Sequence, residues 1–360
     1  MKGNLSFFAG ERALEIIKDE GLRQERIRIM PGAAGGPKWL VLSGIDRVLA
    51  RDFFRNRKKA LNVIGSSIGS WRFAALCEKK PVQAIERFES RYIRQVFKGK
   101  PSPGEISEES RKVLDDFIPR SAVKEILSHP FMRIHIIAVL CRWPVSSDNS
   151  LVQGAGLAYS FILNVLGRKN LKHQFERVLF YDPREGAPFI QFNDFPTHYI
   201  KLNEENLKAA LLASGSIPQV MSGVRDISGS PPGVYRDGGM LDYHLNLPYG
   251  SHRDEIIFFP HFSGKIIPGW LDKALPWRKP GRGDTGNLLV VAPSPGFVES
   301  LPLKKIPDRG DFALFRGRDA DRIECWDNTV KRCREMGDEF MEAVGSGAIR
   351  DLVAPLHPVG

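Results

Sequence analysis

At 360 residues, with 42% hydrophobic and 26% charged side chains, the chain can bury a large core and lies far from disordered or collagen-like compositions. Its formal charge of +10 favours contact with an anionic surface or substrate, but the basic residues stand in no nucleic-acid-binding motif, so no nucleic-acid partner is expected. The four cysteines, Cys77, Cys141, Cys325 and Cys333, show no C-x-x-C spacing and define neither a disulfide framework nor a zinc site.

In chain order, the opening MKGNLSFFAGERALEIIKDE lacks an apolar core of signal-peptide length, because Glu11 and Glu15 interrupt it. No later stretch reaches the roughly 20 apolar residues of a membrane span, so a soluble cytoplasmic protein with peripheral membrane contact at most is expected. Helical spacing of Ala13, Leu14, Ile16 and Ile17 predicts a helix over 11–20, stopped at Gly21. The alternation RIRIM at 26–30 predicts a strand running into PGAAGG, and the dense apolar run at 38–53 predicts a helix after it.

The same strand, glycine turn and helix recur at 61–79, where the turn is GSSIG. Residues 80–128 read as polar helices broken by a turn-rich loop at 98–105. RIHIIAVLCRW at 133–143 and RVLFYDP at 177–183 read as buried strands. The apolar stretch between them, SLVQGAGLAYSFILNVLG, is ambiguous. A helix over 203–218 starts on Asn203 as N-cap and stops at Pro218. GVYRDGG, EIIFFPHF at 255–262 and NLLVVAPS at 287–294 supply further strands, and ECWDNTVKRCREMGDEFMEAV a late helix. Alternating strands and helices predict a three-layer α/β/α fold around a mostly parallel central sheet. The expected division is a main α/β domain at 1–262 and a C-terminal extension at 263–360 packed on it, whose last eighty residues are assigned no chemistry.

Three segments carry candidate chemistry. Gly65-Ser66-Ser67-Ile68-Gly69 fits G-x-S-x-G between a strand and a helix, the setting that thrusts a serine out at a tight turn and aims a helix N-terminus at it. A serine hydroxyl needs a base. His244 and His261 fall near strand ends but read more simply as packed residues. Asp237 closes a strand and turns on Gly238 and Gly239, which fits either a carboxylate at the sheet rim or an ordinary Asp-Gly turn. The third segment, Gly32 to Lys38, has the small residues that let main-chain N–H groups converge on an anion. It matches neither nucleotide-binding loop pattern, so an oxyanion hole fits better than a phosphate site.

These motifs, in this order, resemble the patatin-like phospholipase family over roughly residues 27–250. AGGPK at 34–38 matches the family's glycine loop, GSSIG its elbow and Asp237-Gly238-Gly239 its D-G-[GA] turn. ASGSIP at 213–218 and Asn246-Leu247-Pro248 match two supporting patterns. The resemblance implies a lipid acyl hydrolase, of phospholipase A, lysophospholipase or esterase type, with a Ser67–Asp237 dyad, a covalent acyl-enzyme and neither cofactor nor metal. Ala34 and Trp39 stand where the family has glycine and Pro37 has no N–H, so Gly35, Gly36 and Lys38 are the oxyanion donors implied. An acyltransferase or thioesterase of the same architecture and a non-catalytic lipid-binding protein are the alternatives. The aromatic and basic stretch at 265–282 reads as a surface loop or a short lid suited to an anionic membrane.

Overall fold

The apolar runs assemble into one sheet. In the computed structural model, which describes residues 3–97, 99–250, 252–280 and 285–356, the strands among the described residues are β1 (Leu5–Ala9), β2 (Ile27–Gly32), β3 (Leu61–Ser66), β4 (Met132–Cys141), β5 (Phe175–Tyr181), β6 (Thr197–Lys201), β7 (Val224–Arg225), β8 (Val234–Asp237), β9 (Ile256–Pro260), β10 (Leu288–Pro293) and β11 (Val353–Pro355). They run β11-β1-β10-β9-β2-β3-β4-β5-β6, with β8 beside β4 and β7 beside β8. From β10 through β4 every pairing is parallel. Every residue of β3, β9 and β10 is buried. Strands covered on both faces require this, and it makes them legible as unbroken apolar runs.

The helices are α1 (Glu11–Glu20), α2 (Ser43–Val48), α3 (Ile68–Leu76), α4 (Pro81–Ile93), α5 (Pro103–Phe117), α6 (Arg120–Leu127), α7 (Ser150–Leu166), α8 (Leu207–Ser214), α9 (Pro295–Ser300), α10 (Gly310–Leu314), α11 (Asp319–Gly345) and α12 (Ile349–Leu352). With the sheet they form a three-layer α/β/α fold. β4 serves both faces. Ala138 and Leu140 join the main core, whereas Val139 and Cys141 on the opposite pleat join a second cluster with Met240 and Leu241, covered by Leu157 and Leu163 of α7. Among the described residues no helix is long and apolar enough to cross a membrane.

Several expectations change. The boundary at 262 separates no layer: β10 sits between β9 and β1, β11 pairs with β1, and α11 packs on α2 so closely that a Cβ at Gly44 would lie 1.8 Å from the Cys333 carbonyl oxygen. The C-terminal segment is integral because the backbone groups of β1 and β9 need β10 between them. The helix expected at 38–53 is a 3₁₀ segment (Gly36–Leu42), then α2, then a π turn (Leu49–Phe53). The one expected at 203–218 is only α8, since the Asn203 side chain accepts from the Glu205 and Asn206 N–H groups in a preceding turn and Gly215 ends the helix. A reciprocal Ser102–Glu105 capping box starts α5 inside the expected loop, of which Lys98 lies outside the described residues. Within 265–282 there is a 3₁₀ turn, Trp270–Ala274; Gly281 and Arg282 lie outside the described residues.

Candidate active site

The length of β4 brings the site together. Its first part pairs with β3, which ends with Ser66 opposite Ile137, and its last part pairs on the same edge with β8, which ends with Asp237 opposite Ala138. The two strands therefore run toward each other and stop at adjacent positions. The turn that leaves β3 carries Ser67 onto the end of β8, where Ser67 Oγ donates to Asp237 Oδ2 at 2.6 Å.

Ser67 has φ 54° and ψ −129°, a conformation that a side-chain-bearing residue holds only when its surroundings enforce it. The surroundings are specific. Its N–H donates to Ser214 Oγ at 2.8 Å, whose hydroxyl donates to the Ile137 carbonyl at 2.6 Å, and Ser70 Oγ donates to the Ser67 carbonyl at 2.6 Å. As N-cap of α3, Ser67 makes no side-chain capping bond, because its hydroxyl is committed to Asp237. The elbow also presses on the glycine loop: a Cβ at Gly69 would lie 1.9 Å from the Gly32 carbonyl oxygen. No rotamer relieves a clash with backbone, so Gly69→Ala is expected to cost about 2–3 kcal/mol or more. Urea unfolding reads this as a lower midpoint at unchanged slope, and an unchanged midpoint would mean that the Gly32 segment yields.

Asp237 is only 7% exposed. Its Oδ1 accepts the Gly239 N–H at 2.7 Å and its own N–H donates to the Ser216 carbonyl at 3.0 Å. Gly238 lets the turn pass under β4, since a Cβ there would lie 2.2 Å from the Ile137 carbonyl oxygen. Burial pushes the Asp237 carboxyl above the ordinary aspartate range, against the opposing pull of the Ser67 hydroxyl, the Gly239 N–H and the charges of Arg309 and Lys273.

The glycine loop stands across a narrow cleft that Ser67 and Asp237 share with Gly35, Gly36, Ile217, Met240, Trp270 and Arg309. Ala34 is not a free donor, because its N–H is taken by the Tyr243 carbonyl at 2.9 Å. With a 3₁₀ segment starting at Gly36, the Gly35 carbonyl takes the N–H three residues on, that of Lys38. The Gly35 and Gly36 N–H groups precede that first turn and have no carbonyl within it. The cleft thus gathers Gly35 and Gly36 with Ser67 and Asp237, while Lys38 does not line it. The Lys38 amine lies over the Phe262 ring, 5.0 Å from its centroid, and burial lowers its pKa.

His244 and His261 do not line the cleft. They stack edge to face at 4.3 Å and burial keeps both neutral, His261 down to about 3. Sequence reasoning missed Arg309, which reaches the cleft from the last eighty residues, to which it gave no chemistry, and it read Trp270 only as part of a surface loop or lid rather than as a cleft residue. It also missed Lys273, whose amine sits 3.8 Å over the Tyr243 ring. That residue is exposed as a whole, yet packing around the amine and the nearby charges of Lys38 and Arg309 bring its pKa down to about 8. Among the described residues no group of three or more histidine, cysteine or acidic side chains is gathered as metal ligands.

No family model matches the chain, and no curated protein matches it. Among solved structures, the crystal structure of VipD from Legionella pneumophila is similar over 76% of this chain, at 12% sequence identity and a TM-score of 0.31. The match covers 55% of the VipD chain, so this protein spans little more than half of its length.

Proposed function

We propose that the protein is a lipid acyl hydrolase of the patatin-like type, working through a Ser67–Asp237 dyad. The observation that carries this reading is the 2.6 Å hydrogen bond from Ser67 Oγ to Asp237, made by a serine on a left-handed elbow at the floor of a cleft. In the first half-reaction Ser67 Oγ attacks the acyl carbonyl while its proton passes to Asp237 Oδ2, and the Gly35 and Gly36 N–H groups receive the oxyanion. Asp237 then protonates the departing alcohol. Water then enters, its oxygen attacks the acyl carbonyl while its proton passes to Asp237, and Asp237 returns that proton to Ser67 Oγ as the acyl–Oγ bond breaks and the acid leaves. Of the three donors implied by the family resemblance, the reading retains two.

The experiment is hydrolysis of p-nitrophenyl acyl esters of graded chain length, with mass-spectrometric location of a fluorophosphonate adduct. An inert chain, or a label on another residue, removes the dyad.

The cleft has a polarity. Ile217, Met240 and Trp270 give it apolar walls, suited to an acyl chain. Arg309 lines it too, and its charge reaches Asp237 together with that of Lys273. A positive field over a narrow cleft favours substrates with an anionic group near the ester. Arg309→Gln is therefore expected to lower kcat/KM about tenfold for an ester bearing a phosphate, relative to a neutral ester of the same acyl chain. Equal losses on both substrates would assign Arg309 a packing role against Gly36 instead.

A further inference from the structure

Helix α7 is apolar on two sides: Leu157 and Leu163 pack inward beside a buried polar stripe, and a second set of apolar residues faces outward. Its buried stripe is Gln153, Gly156, Ser160 and Asn164, and each polar side chain there is engaged. Gln153 Nε2 donates to the Ser147 carbonyl at 2.7 Å and its Oε1 accepts the Gln219 N–H at 2.6 Å; Ser160 Oγ donates to the Gly156 carbonyl; Asn164 Nδ2 donates to Asp272 at 2.7 Å. The outward stripe is Leu151, Tyr159, Ile162, Val165 and Leu166, with Leu151 83%, Ile162 57% and Leu166 74% exposed. The spacing of these residues places them on one face. Trp143, just before the helix, is 75% exposed, and Trp277, in the segment that Arg278 ties to the Asn164 carbonyl, is 65% exposed. A helix that already packs Leu157 and Leu163 inward, yet presents a second apolar stripe on its outer face, has that stripe available to something other than water.

Charge identifies the occupant. The helix itself carries no charged residue. Exposed Lys169 and Lys172 follow its C-terminal end, and exposed Lys273 and Lys279 flank Trp277. Asp148, at the opposite end, is paired with Arg236 and Arg225, and Asp272 is buried under Arg168 and Arg278. An apolar stripe without charges to fix a register against a protein, rimmed by lysines and two tryptophans, complements an anionic lipid interface. The cleft adjoins it: Trp270 belongs to the turn packed on α7, and Gln219, next to the cleft residues Ile217 and Pro218, bonds to Gln153 and Ser150.

We infer that the outward face of α7, with Trp143 and Trp277, docks the protein on anionic bilayers, the helix lying in the interface rather than crossing it. This goes beyond the hydrolase reading and needs no turnover, so it is tested in the Ser67→Ala chain with unhydrolysed vesicles. The chain is sedimented with sucrose-loaded vesicles of phosphatidylcholine, with and without phosphatidylglycerol. Binding is expected with the anionic lipid and is expected to weaken with salt. Ile162→Glu/Leu166→Glu is expected to lower the partition coefficient about tenfold or more, with an unchanged circular dichroism spectrum and melting temperature. Lys169→Gln/Lys172→Gln is expected to remove only part of the phosphatidylglycerol dependence. Absence of binding by the parent chain overturns the inference, as does binding that the glutamates leave intact. So does a dimer in light scattering that the glutamates dissociate while vesicles bind nothing, which would assign the face to a second copy. Ester hydrolysis by the wild type is scored separately, so either reading can fail alone.

Discussion

Ser67→Ala is expected to remove hydrolysis of p-nitrophenyl esters by roughly 10³-fold or more while leaving the protein folded. Alanine keeps the methylene that packs in the elbow and the same left-handed backbone at φ 54°, and the bonds that hold that backbone, from Ser214 and Ser70, do not use the Ser67 side chain. What is lost is the hydroxyl of the proposed nucleophile and its hydrogen bond to Asp237. Fluorophosphonate labelling should vanish in the same variant. Ser66 is the internal control: it is fully buried on the strand side of the elbow, and its hydroxyl has no hydrogen-bond partner. Retained activity or labelling in Ser67→Ala, with a native melting curve, would move the nucleophile elsewhere and end the dyad mechanism.

Much of the fold was legible because the strands β2, β3, β4, β9 and β10 are buried nearly end to end, and apolar runs bounded by glycine record that directly. β6 was not legible: THYIK is half exposed along its length at the sheet edge, so burial left no pattern. β11 has three residues, too few for any period. Helix α7 was not legible for a physical reason, since apolar residues lie on both its inner and outer faces and glutamine, serine and asparagine share the buried one, so no single apolar stripe marks it. The motifs placed Ser67 and Asp237 at strand ends, but nothing local to either tells that β3 and β8 abut along one edge of β4. That follows from the register of Ile137 and Ala138, 70 and more positions from Ser67 in the chain. Arg309 had no local signal, because the C-terminal segment reaches the cleft only through its place in the sheet.

Asp237→Asn separates activity from stability, and the two should respond to pH in opposite senses. As general base Asp237 must be ionised, and burial raises its pKa above the aspartate norm of about 4. The acid limb of kcat/KM should therefore lie at higher pH than an exposed aspartate would give, with activity rising as pH passes through the raised value. Asparagine keeps the shape and an oxygen for the Gly239 N–H but accepts no proton, so activity should fall about 10²–10⁴-fold and the limb should disappear. For stability, the folded protein holds the Asp237 proton more tightly than the unfolded chain does. Between the unfolded and folded values the native state carries more protons, so stability falls as pH rises through that window. The destabilisation is absent below about pH 4 and complete above the folded value. Asparagine removes it, so Asp237→Asn should melt higher than wild type near neutrality, with the gap closing as pH falls toward 4. A gap independent of pH would mean that the hydrogen bonds from Ser67 and Gly239 cancel burial, and one of opposite sign that they outweigh it. A dyad base with an ordinary aspartate titration would then put the acid limb near pH 4.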